Sequence, residues 1–157
     1  MTYPRYIGHL LPTATLPAPN ASDYAPESLK DEGFVHCSSL AQALETANRY
    51  LATVPALSLL VIDTAKLGVY TAAVVGAPHI PVDGTNPDDA VHVVWEPPAV
   101  PPGSSSANLA AARTDQEFPH IYGRIPLMAV VAVVQVTRND DNSAWVGLPG
   151  AEPYISS

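Results

Sequence analysis

The sequence has a single cysteine, Cys37, among its 157 residues. One cysteine cannot form an intramolecular disulfide, which excludes the disulfide-rich scaffolds of small secreted proteins. Residues 1–19 also lack the basic start and the uninterrupted apolar stretch of a signal peptide. We therefore expect a cytoplasmic protein.

Long apolar runs and positive charge are also scarce. Prolines or charges interrupt every apolar stretch before it reaches the roughly 20 residues of a membrane helix, so we expect no membrane partner. Charged residues make up 14% of the chain, and seven basic against fifteen acidic residues give a net charge of −8. This charge repels phosphate backbones at long range, so we expect no nucleic-acid partner either.

The common catalytic signatures are missing too. The chain contains no glycine-rich phosphate loop, no nucleophile elbow and no His-Glu-x-x-His zinc motif. Its histidines and cysteine also lack the close pairing that marks zinc ligands, so no metal site is predicted. What remains is a sparse set of polar residues in apolar surroundings: His9, His36, Cys37, Glu96 and His120.

The pattern of apolar residues predicts one α+β domain, spanning residues 1–157, with a curved or split, mainly antiparallel sheet and few helices. Ser39 followed by Gln42 is a capping box, and the apolar stripe after it predicts a helix to about residue 52. Residues 57–62 are predicted as a strand buried on both faces, and 125–137 as a long central strand. Residues 97–116, rich in proline and serine, are predicted as a flexible insertion loop.

The segment before this helix contains the strongest candidate residues. If residues 34–37 form a strand, Phe34 and His36 share one face while Val35 and Cys37 share the other. We therefore predict that His36 faces a cleft with Phe34 as its floor. A lone cysteine between apolar residues is more typical of a core position than of a nucleophile, so Cys37 is predicted to face away.

Three further residues complete the candidate site, and each has a structural alternative. His9 lies on the presumed first strand, where it could instead be bonded to a backbone carbonyl. His120 is predicted in a rigid loop between Pro119 and Gly123, where it could be a turn histidine. Glu96 ends an apolar run and could act as a base or simply be solvated.

Two segments resemble one family in sequence and in order. Residues 32–38 read Glu-Gly-Phe-Val-His-Cys-Ser and residues 118–123 read Phe-Pro-His-Ile-Tyr-Gly. Together with Tyr-Ile-Gly-His at 6–9, they are similar to the domain-of-unknown-function family 952. The chain departs from the family pattern in the proline-rich 12–19 segment and in longer stretches at 68–92 and 97–116, which flank Glu96.

The resemblance implies a fold like that of the ADP-ribosyltransferases, in which a cleft between two sheet halves holds NAD. It implies that His9 contacts a ribose, that His36 matches the second family motif, and that His120 or Glu96 supplies the third catalytic group. The cofactor would lie near Phe34, Ser38, Ser39 and Tyr122, with its phosphates at the start of the helix.

Three functions remain open on this basis. The first is an ADP-ribosyl transferase-like enzyme or sensor that binds NAD or a related nucleotide. The second is a non-catalytic binding or interaction module whose histidines are structural. The third, a cysteine hydrolase that uses Cys37 with His36 or His120, is disfavoured because Cys37 and His36 are adjacent on a strand and point to opposite faces.

Overall fold

The computed structural model describes residues 4–18, 20–67, 91–96 and 117–155, without the side chains of His92 and Glu96. The predicted loop at 97–116 and the insertion at 68–90 lie outside these ranges. The same holds for the side chain of Glu96, the fourth candidate catalytic residue.

The described residues form short strands and short helices. The α-helices are α1 (Glu27–Glu32), α2 (Ala43–Tyr50) and α3 (Glu152–Ile155). The strands are β1 (Tyr6–Pro12), β2 (Asp23–Tyr24), β3 (Val35–His36), β4 (Ser38–Ser39), β5 (Leu57–Asp63), β6 (His92–Glu96), β7 (Phe118–Tyr122), β8 (Ile125–Pro126), β9 (Val130–Gln135), β10 (Thr137–Arg138) and β11 (Trp145–Gly147).

These strands form two main sheets. The first has the order β4-β1-β5-β9 and the second has the order β3-β7-β6, while β2 pairs with β8 and β10 with β11. Every pairing among the described strands is antiparallel. The predicted α+β class with mainly antiparallel sheets and few helices is therefore confirmed.

The chain passes from one sheet to the other at Cys37. The preceding strand, β3, pairs with β7 in the second sheet, whereas the following strand, β4, pairs with β1 in the first. Between them, the Cys37 N–H donates to the carbonyl of Pro119 at 3.1 Å. Residues 35–36 thus belong to the second sheet and residues 38–39 to the first, so this short segment joins the two sheets at one end.

Helix α2 follows this crossover and packs on the first sheet. The backbone N–H of Ser39 donates to Gln42 Oε1 at 2.9 Å, and the Gln42 N–H donates to Ser39 Oγ at 3.1 Å. This is the reciprocal bonding of the predicted capping box, although regular α-helix begins only at Ala43. The predicted apolar stripe consists of Leu40, Ala43, Leu44, Ala47 and Leu51. It packs in one cluster with Leu57, Leu59 and Val61 of β5.

Strand β5 is the centre of the molecule. All seven of its residues are buried, which confirms the prediction for 57–62. Leu59 and Val61 face the α2 cluster, whereas Leu60 and Ile62 face a second cluster that includes Val35 and other residues of the second sheet. Alternation along one strand thus fills the core on both sides of the first sheet.

The prediction of one long central strand over 125–137 is wrong. This segment is divided into β8, a 3-10 turn at Leu127–Ala129, β9 and β10, and these strands belong to three different sheets. Among the described strands, β9 pairs only with β5, so it lies at the edge of the first sheet, where Val133 is 58% exposed. Its valines reflect strand propensity, which does not determine a strand's place in a sheet.

The segment that contains His120 also differs from its prediction. Residues 118–122 are a strand, β7, at the middle of the second sheet, rather than a loop. His120 is paired with His36 on one side and with Val94 on the other. Pro119 is compatible with this strand because a proline can occupy positions whose N–H does not take part in the ladder.

The turn after β7 requires glycine at position 123. Gly123 has a φ of 135°, and a Cβ there would lie 2.9 Å from Val91 Cγ2 and 3.2 Å from Val91 Cα. We expect Gly123→Ala to lower the free energy of unfolding by about 1–3 kcal/mol, measured by urea denaturation.

Gly33 provides the matched control for this substitution. It also has a positive φ, 89°, but a Cβ there would meet nothing within 4 Å. Gly33→Ala therefore tests backbone strain without the steric contact, and its cost should be the smaller of the two. An equal cost for both variants would contradict the role of Val91.

Candidate functional site

A cavity of about 310 Å³ is lined by residues of both sheets and of helices α1 and α2. Its walls are mostly apolar. The residues with polar side-chain atoms that line it are His9, Thr15, Tyr24, Ser28, His36, Cys37, Ser38, Thr46, Tyr50 and His120. In the described part of the chain, no lysine, arginine, aspartate or glutamate is among the lining residues.

His9 connects the two sheets at one wall of this cavity. Its Nδ1 lies 2.7 Å from the carbonyl oxygen of His36, and its Nε2 lies 3.2 Å from the hydroxyl of Tyr24. A carbonyl can only accept, so Nδ1 carries the hydrogen and Nε2 accepts from the Tyr24 hydroxyl. His9 is thus bonded to a backbone carbonyl, as the structural alternative predicted, and it also lines the cavity.

Burial keeps His9 uncharged. Its side chain is almost fully buried, and desolvation lowers its pKa to about 4, although the bond to the His36 carbonyl opposes this shift. At neutral pH the imidazole is therefore neutral, with one fixed donor and one fixed acceptor. It can hold a ligand hydroxyl, but it cannot neutralise a phosphate.

His36 is paired with a carboxylate that sequence reasoning did not assign to the site. Its Nε2 lies 2.5 Å from Glu32 Oε2, with Glu32 in the last turn of α1. Gly33, in the left-handed conformation, ends that helix and turns the chain back, which brings position 36 beside position 32. Glu32 stands directly before a glycine that can end a helix and four residues before His36, and this was the available signal.

His120 forms the third part of the site. It is 2% exposed, and its ring centroid lies 5.6 Å from that of His36 on the paired strand. The ring of Phe34 stacks on it at 4.4 Å with an interplanar angle of 22°. Strand pairing and this stacking fix the imidazole, so the structure brings all three candidate histidines to one cavity.

The predicted cofactor-binding residues divide into two groups. Ser38 lines the cavity and donates to the Thr46 hydroxyl at 3.1 Å, whereas Ser39 caps α2. Phe34 stacks on His120 and contacts the ring of Tyr122, and neither Phe34 nor Tyr122 is among the described residues that line the cavity. This corrects the expectation that Phe34 forms the floor of the site.

Cys37 follows its prediction only in part. It packs in the same core cluster as Val35, as strand alternation predicted, and burial raises the pKa of its thiol far above the usual range. The thiol is therefore protonated at neutral pH and is a poor nucleophile. Cys37 lies at the crossover between β3 and β4 and is also among the residues that line the cavity, so it is not wholly separated from the cavity as predicted.

Two tyrosines complete the cavity wall, and neither was predicted. Burial, with a smaller contribution from nearby Cys37, raises the pKa of Tyr24 to about 12, so its hydroxyl remains a donor to His9. Tyr50 is the last residue of α2, and its hydroxyl oxygen is buried without a hydrogen-bond partner among the described residues. Tyr50 lies three residues after Ala47, at the spacing of the apolar stripe, and this was the available signal.

Neither a metal site nor a membrane helix is present in the described part of the chain. The histidine, cysteine, aspartate and glutamate side chains described do not form any group of three or more that could hold a metal ion. None of the described helices is long and apolar enough to cross a membrane.

The fold and the site define a small α+β domain with a histidine-lined cavity between two antiparallel sheets. Residues 11–133 match the family described as "Protein of unknown function (DUF952)", and the chain belongs to that family. This confirms the resemblance of its two histidine motifs to that family. No protein with a curated description matches the chain.

Solved structures of one bacterial protein share this fold. The crystal structure of protein CC0527 from Caulobacter crescentus matches with a TM-score of 0.55 and 21% sequence identity, covering 97% of this chain and 99% of that one. A double mutant of the same protein matches with a TM-score of 0.54 and 19% identity over the same shares. Neither structure is described as an ADP-ribosyltransferase, and the likeness to that class stays a prediction.

Proposed function

We propose that the cavity binds the ribosyl end of NAD or of a related ADP-ribose-like nucleotide, in an ADP-ribosyltransferase-like fold. The observation that carries the proposal is the state of His9: a neutral imidazole whose Nε2 accepts a hydrogen bond from a hydroxyl at the cavity wall. A ribose hydroxyl can take the place of the Tyr24 hydroxyl at this acceptor. The family resemblance implies the same role for His9.

The size and the charge of the cavity decide which part of the ligand enters. A volume of about 310 Å³ lies at the lower end of the range for small-molecule sites, roughly 300–1,000 Å³. No lysine or arginine lines the described walls, so a buried diphosphate would have no counter-charge. We therefore propose that the sugar and its attached base enter, while the diphosphate stays in solvent.

The start of α2 does not offer the phosphate site that the sequence suggested. The N–H groups of Ser39 and Gln42 are already bonded to each other's side chains in the capping box. A phosphate that bound these N–H groups would first have to break the capping-box bonds, and this cost would offset part of its binding free energy. This supports a solvent-exposed diphosphate and a modest affinity.

A transfer reaction at this site would need a carboxylate near the sugar carbon that is attacked, to stabilise its developing positive charge. Glu96 stays the candidate from sequence. Glu32 is a second carboxylate near the site, and through its contact with His36 it fixes the orientation of that ring. We propose transferase activity only as a step beyond binding, because the transfer cannot occur unless the nucleotide binds first.

Binding of NAD and of ADP-ribose, measured by titration calorimetry and by thermal shift, tests this proposal. A ligand at 100 times its dissociation constant should add about 2.7 kcal/mol of stability. His9→Asn keeps an amide N–H at the place of Nδ1 but has no atom at the place of the Nε2 acceptor, and we expect it to weaken binding about tenfold, the effect of about 1.4 kcal/mol.

Glu45→Gln is the matched control, because Glu45 lies on an exposed part of α2 and pairs with Arg49. This variant should bind as the unmodified protein does. If neither ligand at millimolar concentration changes the melting temperature of the unmodified protein, the nucleotide proposal fails. The non-catalytic module with structural histidines then becomes the better account.

A further inference from the structure

His36 is the most accessible of the three cavity histidines. Its side chain is 30% exposed, whereas His9 and His120 are buried, and all three residues line the cavity. Both ring nitrogens of His9 are already bonded within the protein, to the His36 carbonyl and to the Tyr24 hydroxyl. A ligand that enters the cavity can therefore contact the ring of His36 without displacing the bonds of His9.

Glu32 determines which nitrogen of His36 carries the hydrogen. Its Oε2 lies 2.5 Å from His36 Nε2, and a carboxylate can only accept, so Nε2 is the protonated nitrogen. In the neutral ring, Nδ1 then has a lone pair and acts only as an acceptor. The described residues provide no hydrogen-bond donor to Nδ1, and, unlike the Tyr50 hydroxyl oxygen, Nδ1 is not a buried atom. It is therefore an accessible acceptor that a ligand can use.

Ser28 provides a hydroxyl near this acceptor. It lies in α1 four residues before Glu32, so the two side chains are neighbours on one face of the helix. The Ser28 hydroxyl lines the cavity, has no hydrogen-bond partner among the described residues and is likewise not a buried atom. A ligand hydroxyl suits this pair, because its single oxygen can donate to Nδ1 and accept from Ser28.

The charges around this pair disfavour an anion. The carboxylate of Glu32 is bonded to the ring of His36 and would repel a second negative charge placed there. In the described walls no lysine or arginine could compensate it. An uncharged ligand needs only hydrogen bonds, whereas a buried anion would also need a counter-charge.

We infer that the cavity binds an uncharged molecule through a hydroxyl group that donates to His36 Nδ1 and accepts from Ser28. Glu32 is the positioning residue, because it keeps the hydrogen of His36 on Nε2. Apolar wall residues, among them Leu11 and Phe118, pack on the carbon skeleton of the ligand. The inference goes beyond the nucleotide proposal and does not depend on it, because it concerns the group that any occupant offers to His36.

Long-range ¹H–¹⁵N correlation spectra of the ligand-free protein at neutral pH locate the hydrogen on His36. We expect a protonated Nε2 and an unprotonated Nδ1 in the unmodified protein. Glu32→Gln should give a mixture of both neutral tautomers, because an amide can either accept from Nε2 or donate to it. Glu27→Gln, which replaces an exposed carboxylate on the same helix, should leave the tautomer unchanged. A hydrogen on Nδ1 in the unmodified protein, or a tautomer that Glu32→Gln does not change, would overturn the inference.

Three small probes test the class of ligand in NMR titrations: benzyl alcohol, benzyl methyl ether, which lacks the hydroxyl hydrogen, and benzoate, which is charged. The unmodified protein should bind the alcohol about fivefold more tightly than the ether, the effect of one hydrogen bond, and should bind benzoate most weakly. His36→Phe keeps an aromatic ring without nitrogens and should bind the alcohol and the ether equally. Ser28→Ala should reduce the preference for the alcohol about twofold. Ser22→Ala, at an exposed serine that is not among the described wall residues, should retain the full preference.

Four outcomes of these titrations count against the inference. Equal binding of the alcohol and the ether by the unmodified protein, or a preference that persists in His36→Phe, would overturn the role of His36. Tighter binding of benzoate than of benzyl alcohol would overturn the selection of an uncharged group. No binding of benzyl alcohol at millimolar concentration would overturn the hydroxyl site as a whole. If NAD binds in that case, the nucleotide proposal stands without it.

Discussion

Lowering the pH from 7 to 4 should reduce the free energy of unfolding by about 3 kcal/mol through His9 alone. Burial lowers its pKa to about 4 in the folded protein, whereas an exposed histidine in the unfolded chain has a pKa of 6.5. Below pH 6.5 the unfolded chain therefore binds a proton that the folded protein does not. Neutral His9 therefore makes its full contribution to the free energy of unfolding above pH 6.5, and this contribution is lost as the pH falls to about 4.

Two groups that line the cavity with His9 do not contribute to this dependence. Tyr24 and Cys37 both have raised pKa values, so they stay protonated throughout it. Asp63, which accepts two hydrogen bonds from Arg5, has a lowered pKa, and its contribution is lost only below about pH 4.

Urea denaturation at a series of pH values, on the unmodified protein and on His9→Asn, measures this effect. Asparagine does not titrate, and its amide can still donate to the His36 carbonyl that His9 Nδ1 contacts. The variant should therefore show a shallower decline between pH 6.5 and 4, whatever its stability at pH 7. Parallel profiles for the two proteins would mean that His9 is not the source of the acid sensitivity.

The sequence predicted those elements whose local signals agree with their place in the fold. The capping box at Ser39 and Gln42 and the buried strand at β5 are local features, and the structure confirms both. The segment 125–137 was mispredicted because its breaks depend on which strand each part pairs with. Strand pairing is a long-range property, and valine content does not encode it.

The same distinction applies to the site. Alternation correctly placed Val35 and Cys37 in one core cluster, because that rule acts between neighbouring residues. The contacts that define the cavity connect distant parts of the chain: His9 with Tyr24, and the Cys37 N–H with Pro119. Single-sequence patterns carry no information about such contacts, so Tyr24 and Tyr50 were not predicted as parts of the wall.

Trp145→Ala should lower the free energy of unfolding by about 3–5 kcal/mol, the usual cost of removing a buried tryptophan ring. Trp145 is 3% exposed, and its indole N–H donates to the carbonyl of Leu51 at 3.0 Å. Its backbone N–H and carbonyl are both bonded to the side chain of Asn48, and the guanidinium of Arg138 lies 3.7 Å from the ring centroid. The ring thus fastens β11 to the last turn of α2.

Two variants separate the contributions of this residue in urea denaturation. Trp145→Phe retains most of the apolar burial but leaves the Leu51 carbonyl without the indole donor, and should cost about 1–2 kcal/mol. Val146→Ala changes the adjacent residue of β11, which is 53% exposed, and should cost less than about 0.5 kcal/mol. A loss for Trp145→Ala no larger than that for Val146→Ala would contradict the packing of β11 on α2. Tyr50 and Leu51 form the cavity wall at this turn, so Trp145, which lies beyond residue 133 where the family match ends, is bonded to a residue of that wall.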